Sequence, residues 1–290
     1  MNFSEKLIDW YLPQKRELPW RNTVDPYKIW LSEIMLQQTR VAQGLPYYEV
    51  FLENFPAVFD LAKASEEKVL KLWQGLGYYS RARNMHFTAK YIAEEKNGEF
   101  PKTASGLLKL KGIGDYTAAA IASICFGEPV PVVDGNVYRA LSRIFGIETP
   151  IDSTLGKKEF KQLAHQLIDP KKPAEHNQAL MEFGALQCKP KNPLCETCPF
   201  QNSCMALQLG KIEKLPVKTK KIKTTLRHFN YLVFVSKNKQ TLLQQRTGKG
   251  IWQNLYEFPL LESEKEETRE SFVQKPELKK LVDAKKIELF

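Results

Sequence analysis

Two carboxylates stand in company that invites chemistry. Glu33 lies in IWLSEIMLQQTR, flanked by Trp30, Ile34 and Leu36. A carboxylate on an apolar helix must be paired or hold its proton to a higher pH. Asp134 lies in VPVVDGNVYRALSRIFG, after a proline and β-branched residues and before a helical run, 20 residues beyond Gly114. Taken singly, Glu33 reads as a paired structural acid and Asp134 as a helix N-cap. Taken together, one acid kept protonated and one kept ionised are what cleavage of a glycosidic bond needs.

The cysteines suggest a second chemistry. Cys188, Cys195, Cys198 and Cys204 follow the spacing C-x6-C-x2-C-x5-C, and Pro190, Pro193 and Pro199 stiffen the wrap. Four thiolates on so short a loop can close around one metal centre, and the spacing alone suits tetrahedral zinc and a [4Fe-4S] cluster equally. Cys125 sits in an apolar helical run and reads as plain core.

A third feature is the glycine turn in LLKLKGIGDYTAAAIASI. Gly112 and Gly114 permit a tight turn with unusual backbone angles. The helix starting at Asp115 aims its free N–H groups at that turn, a cradle for a phosphate oxygen, with room for a bridging monovalent cation. Many helix pairs turn on glycine. The sharper reading is a helix-hairpin-helix grip on nucleic-acid backbone, which carries no sequence readout.

The elements that must position these groups are helical as far as about residue 209. Tyr27–Thr39, Thr103–Leu110, Asp115–Phe126, Gly135–Phe145, Leu155–Ile168 and Ala174–Leu186 repeat apolar residues at three- and four-residue spacing, with Gly and Pro between them. The segment 210–227 carries seven basic residues and one acidic, and reads as a solvated linker able to touch phosphates. From 228 the pattern turns to strand: HFNYLVFVS, a KNKQ turn and TLLQQR predict a hairpin, and the stretch 262–290 predicts a charged helix.

Composition sets the limits. The chain has 290 residues, 43% hydrophobic and 26% charged, enough for a core and against wholesale disorder. Its 43 Lys and Arg outnumber 33 Asp and Glu, a net charge of +10 that makes a polyanion a plausible partner. The longest nearly apolar stretch, Tyr116–Gly127, is too short to span a membrane, and Glu5, Lys6 and Asp9 stand where a signal peptide needs an apolar run. A cytoplasmic protein without a disulfide framework is expected.

Several longer motifs add to this. LPWR at 18–21, WLSEIMLQQTRV at 30–41, GLGYYSRARN at 75–84, LKGIGDYTAAAI at 110–121 and VVDGNVYRALSR at 132–143 resemble the MutY-type adenine DNA glycosylases of the helix-hairpin-helix, or endonuclease III, superfamily. The resemblance covers about residues 5–260. It implies a mainly α fold of two helical subdomains with a [4Fe-4S] cluster loop at 188–204, on the four cysteines, in residues 1–209. A basic linker at 210–227 and a partial Nudix-like α+β domain at 228–290 follow; the LYEFP segment at 255–259 carries that last likeness, and no Nudix box accompanies it.

The resemblance also implies roles. Glu33 is expected to protonate adenine and Asp134 to stabilise the oxocarbenium ion or capture the sugar, with Tyr116 and Asn136 positioning them. Gln37, Gln38, Thr39, Leu76 and Tyr78 are expected to wedge into the duplex and meet the opposite 8-oxoguanine; Arg16, Trp20, Arg21 and Gln178 to shape the adenine side; Gly112, Gly114, Lys189 and Lys191 to hold phosphates. Endonuclease III carries a nucleophilic lysine where this chain has Tyr116, so a monofunctional enzyme is implied. The expected partner is duplex DNA with 8-oxoguanine:adenine or guanine:adenine mispairs, bound by a monomer associated with the nucleoid. An oxidised-pyrimidine glycosylase and lyase, or a mismatch binder without turnover, are the alternatives.

Overall fold

The α-helix Asp115–Phe126 is apolar on nearly every side, and a helix of that kind must be enclosed. The fold is arranged around it. A computed structural model describes residues 2–219, 225–248, 250 and 252–279. The chain divides into two units, Met1–Lys221 and Ile222–Phe290.

In the first unit α1 (Phe3–Gln14) is followed by α2 (Pro26–Met35), α3 (Val41–Asn54), α4 (Val58–Lys63), α5 (Glu66–Leu72) and α6 (Ser80–Glu95). Next come α7 (Ala104–Leu107), α8 (Asp115–Phe126), α9 (Gly135–Phe145), α10 (Thr154–Leu167), α11 (Pro173–Leu186) and α12 (Met205–Gln208). Two apolar cores result. One gathers Trp30, Leu31, Phe51, Trp73, Met85 and Ile121 from α2–α8. The other gathers Leu7, Tyr11, Leu141, Phe160 and Phe183 from α1 and α9–α11. The two expected helical subdomains are therefore present, and α1 crosses back to pack on α11.

Helix ends depart from the sequence pattern where tertiary contacts intervene. The run expected to stay helical to Thr39 stops at Met35, and Gln38 turns to φ +56°. The helix expected over 103–110 shortens to Ala104–Leu107. Of the two hairpin glycines only Gly112 needs its freedom: φ is +82°, and a Cβ there would lie 2.8 Å from that of Asn84. Gly114 has φ −97° with open space beside it, so its expected unusual angle is absent.

The expected linker is only partly a tether. Ile151 donates its N–H to the Val217 carbonyl at 3.0 Å, Thr219 donates to Asp152 at 3.0 Å, and Leu215 is buried. Residues 210–219 thus belong to the first unit, while 220–224 lie outside the described residues.

In the second unit β1 (His228–Tyr231) pairs antiparallel with β4 (Leu260–Ser263), His228 opposite Ser263, and β2 (Gln244–Gln245) pairs with β3 (Tyr256–Glu257). The expected hairpin of 228–236 with 241–246 reduces to a bridge between Val235 and Thr241, because Leu232 N–H turns to the Pro259 carbonyl instead. The expected charged helix begins as α13 (Arg269–Val273) and α14 (Pro276–Lys279), broken at Pro276; 280–290 lie outside the described residues.

One buried ion cluster ties α1 and the following segment to α11. Glu182, 1% exposed, accepts from Arg16 Nε at 2.9 Å and from Arg21 Nη1 and Nη2 at 2.8 and 2.7 Å. Burial raises its pKa, but the two guanidinium groups outweigh that and bring it to about 2. The folded value lies below the ordinary carboxylate value of 4.5, so this stabilisation is present above pH 4.5 and is lost as the pH falls towards 2. Glu182→Gln should lower unfolding free energy by roughly 3 kcal/mol at pH 7, which urea denaturation would measure. The gap between variant and parent should close as the pH is lowered through that window.

Candidate active site and cluster loop

Each core contributes one acid to a common cavity. Glu33 comes from the middle of α2, where Trp30 and Ile34 belong to the first core. Asp134 is the N-cap of α9, whose buried face belongs to the second. Both line a cavity of about 380 Å³ together with Leu36, Gln37, Gln38, Tyr116 and Val133.

Their environments separate the two acids. Burial pushes the Glu33 carboxyl up to about 7; a hydrogen bond with Tyr116 pulls against this, and the nearby Asp134 charge adds to it. The Tyr116 hydroxyl also donates to Met181 Sδ at 3.4 Å, and burial beside two carboxylates holds its own pKa well above the usual value. Asp134 is raised by burial as well, but hydrogen bonds restrain it. Its Oδ1 accepts from Val137 N–H at 2.7 Å and its Oδ2 from Asn136 Nδ2 at 2.8 Å. Capping and chemistry are therefore compatible at Asp134: the hydrogen bonds that terminate the helix are those that favour its anion.

Asn136 is itself held. Its Oδ1 accepts from Arg139 Nη2 at 2.7 Å, and Arg139 also donates to the carbonyls of Gly184 and Cys188 at 2.6 and 2.8 Å. Gly184 allows α11 to pass this close, since a Cβ there would lie 2.6 Å from that of Asn136.

The cluster cysteines lie at the far end of this run. Cys188, Cys195, Cys198 and Cys204 line one pocket with Ile144, Phe183, Leu194 and Leu207. No three Cys, His or acidic side chains among the described residues are arranged to hold a single metal ion. Four thiols set around an apolar pocket suit a multi-atom cluster better than one zinc ion. Arg143 Nη1 lies 3.6 Å from Cys188 Sγ and donates to the Lys189 carbonyl at 2.8 Å. Burial raises the Cys188 thiol, and Arg143 pulls it back towards thiolate. The donor set fits an iron–sulfur cluster.

Of the expected duplex-facing residues, Tyr78 is 63% exposed at φ +49°, and Gln37 and Gln38 open onto the cavity. Thr39 sits on the same turn as the glutamines, its Oγ1 donating to the Gln37 carbonyl at 3.3 Å. Leu76 is buried in the first core, so the wedge expected of it is absent. Trp20 is core too, edge-on to Tyr48, and Arg16 and Arg21 are engaged by Glu182; none of the three lines the cavity. Gln178 accepts from the Tyr11 hydroxyl at 2.8 Å and is likewise outside it. On the cluster loop Lys191 is exposed and Lys189 partly so.

Arg81 carried no expectation, yet it joins the two turns that bear these residues. Nine-tenths buried, it donates through Nη1 to the carbonyls of Ile34, Met35 and Gln37 at 3.1, 2.9 and 2.6 Å. Through Nη2 it reaches those of Leu76 and Gly77, both at 3.2 Å. Its guanidinium also lies 5.5 Å from the Tyr78 ring centroid. One side chain thus stops α2 early and holds Gln38 and Tyr78 in left-handed backbone. The only signal in the sequence is an arginine three residues after a Gly-rich turn.

Known proteins share this arrangement. Residues 31–170 match the model of the HhH-GPD superfamily of base excision DNA repair proteins, and residues 188–204 that of the iron-sulfur binding domain of endonuclease III. The adenine DNA glycosylase of Buchnera aphidicola subsp. Schizaphis graminum is 39% identical over 262 residues, 89% of this chain and 74% of that protein. The human adenine DNA glycosylase is 46% identical over 222 residues, 73% of this chain and 41% of that protein. The chain spans less than half the length of such mammalian relatives. Among solved structures, a thermostable thymine-DNA glycosylase superposes with TM-score 0.66 at 28% identity, covering 71% of this chain and 95% of that one. An endonuclease III in a non-covalent DNA complex shares the fold, with TM-score 0.61 at 21% identity, over 71% of this chain and 94% of that one.

Two outcomes follow from the geometry. Arg81→Met should speed amide exchange in 36–39 and 76–79 together; release of one turn alone would contradict the shared anchor. Glu33→Gln removes a buried acid whose folded pKa is raised from 4.5 to about 7. The cost of ionising it in the folded state grows as the pH rises through that interval, so the variant should be more stable than the parent at pH 8, by up to about 3 kcal/mol, and equal to it at pH 4.

Proposed function

The chain belongs to the adenine DNA glycosylase family of the HhH-GPD superfamily of base excision DNA repair proteins, and on that footing we propose that it hydrolyses the N-glycosidic bond of adenine in duplex DNA. The observation that carries this is the shared cavity: an acid with a pKa of about 7 and a hydrogen-bonded carboxylate face one space. Its size, about 380 Å³, falls in the range of roughly 300–1,000 Å³ that small ligands occupy.

The adenine nucleotide leaves the base stack and enters this cavity. Glu33, protonated up to about pH 7, gives its proton to the purine ring at N7, so that adenine departs as a neutral molecule. Tyr116 fixes the Glu33 carboxyl through their hydrogen bond. As the glycosidic bond lengthens, positive charge spreads over C1′ and the ring oxygen of the sugar. Asp134, fixed by Val137 N–H and Asn136, lies across the cavity as its counter-charge or as a transient nucleophile. Glu33, now an anion, accepts a proton from the water that completes hydrolysis. Glu33→Gln and Asp134→Asn should each abolish adenine release and retain binding.

Among the described residues no amine lines the cavity, and Tyr116 stands beside the acids instead. That supports a hydrolase without lyase chemistry, since an imine with the sugar needs an amine. Gln37, Gln38 and Tyr78 are the residues we assign to the duplex and the base opposite adenine, 8-oxoguanine or guanine. The iron–sulfur cluster is structural in this reading: it holds the loop that carries Lys189 and Lys191 against DNA phosphate.

A single-turnover assay on an 8-oxoguanine:adenine duplex tests the reading. Free adenine should appear, its rate falling as the pH rises through about 7 because Glu33 ionises. Borohydride should trap no covalent adduct. Absence of adenine from cluster-loaded protein would falsify the proposal.

A further inference from the structure

Beyond the catalytic cavity lies a second one, about 230 Å³, on the other side of Tyr116 and Val133, which line both. Its floor is apolar: Leu108, Ala119, Val130, Pro131 and Tyr138. Lys157, Lys161 and His165 border it from α10, at i, i+4 and i+8, so one helix face presents all three. Asp115, the first residue of the hairpin's second helix, is the acid that lines it.

Two features of this rim ask for an anion. Lys157 and Lys161 are exposed on successive turns, an arrangement of like charges that costs free energy in an isolated helix. Neither forms an ion pair with a described carboxylate. The cavity also adjoins the hairpin turn, where α8 begins with free N–H groups. A chain of phosphates passing that turn towards the catalytic cavity would meet the α10 rim within one nucleotide step. The floor offers apolar surface and the rim offers cations, the complement of a deoxyribose and its phosphate.

We propose that this cavity seats the sugar-phosphate unit of the DNA strand next to the extruded nucleotide, its phosphate on Lys157, Lys161 and His165. The site rests on the function proposed above for its reference point, the extruded base. Seating the adjoining unit there would fix the backbone on one side of Tyr116 while the base is held on the other. Its energetic signature is the release of counterions from the DNA.

The test uses the full chain with its cluster and a duplex bearing 2′-fluoro-2′-deoxyadenosine opposite 8-oxoguanine, which binds without being cleaved. Dissociation constants are measured over a series of salt concentrations for the parent, Lys157→Ala/Lys161→Ala and Lys157→Arg/Lys161→Arg. The alanine pair should flatten the slope of log Kd against log salt by about 1 for each lysine removed, and the arginine pair should keep the parental slope. Replacing each phosphate flanking the modified nucleotide in turn by an uncharged methylphosphonate locates the contact. At one position the replacement should weaken the parent severalfold and leave the alanine pair unaffected. An unchanged slope, or losses that simply multiply at every position, would overturn the site. Adenine release by the parent from the cleavable duplex is scored separately. Release with an unchanged slope removes the site and leaves the function standing; no release removes the function, while the slope still reports the phosphate contact.

Discussion

Withdrawing a carboxyl group from water raises the pH at which it gives up its proton, and the site depends on that one effect at Glu33. Its position among Trp30, Ile34 and Leu36 supplies the burial, and the pKa of about 7 follows. The same burial acts on Asp134, yet there it is opposed by donors from the first turn of α9. The two acids differ because one lies along a helix, where backbone N–H groups are already used, and the other at a helix start, where they are free. Helix geometry therefore separates their roles without any metal or distant charge.

The two-core construction serves that arrangement. If both acids came from one core, the space between them would be filled by its packing. Here α2 and α8 belong to the first core and α9 to the second, so the cavity opens where the two cores meet and Tyr116 can reach across to Met181 on α11. The crossing is held by charge rather than by further apolar surface. Glu182 clamps Arg16 and Arg21, and Arg139 links Asn136 to the carbonyls of Gly184 and Cys188. Arginine suits these places because its planar fork keeps its charge and satisfies several carbonyls at once.

How much of this the sequence discloses depends on whether a property is local. The α8 and α9 boundaries read correctly because capping and C-terminal glycine lie within the segment. The acids and the thiols read correctly because their residue types are costly to bury without purpose. Trp20, Leu76, Arg16 and Arg21 were misread for the opposite reason. A tryptophan or leucine in a motif looks the same whether it faces a duplex or Tyr48, and an arginine looks the same whether it meets phosphate or Glu182, 161 residues away. The early stop of α2 was hidden because its cause, Arg81, is 44 residues beyond the carbonyl of Gln37 that it takes. Pairing of β1 with β4 rather than within the nearer hairpin is the same kind of long-range decision.

The cluster loop can be placed in the same frame. Cys188 follows α11 directly, and its backbone carbonyl accepts from Arg139, one turn along α9 from Asn136. A loop of residues 188–204 with three prolines and little apolar content has few means of fixing its own shape. Four cysteine ligands supply that constraint when the cluster is bound, and Arg143 meets the loop through the Cys188 sulfur and the Lys189 carbonyl. Arg139 and Arg143 lie on successive turns of the helix that Asp134 caps. The rigidity that the ligands impose on the loop is thereby delivered to the start of α9, where the position of one carboxylate oxygen decides whether the sugar cation meets its counter-charge.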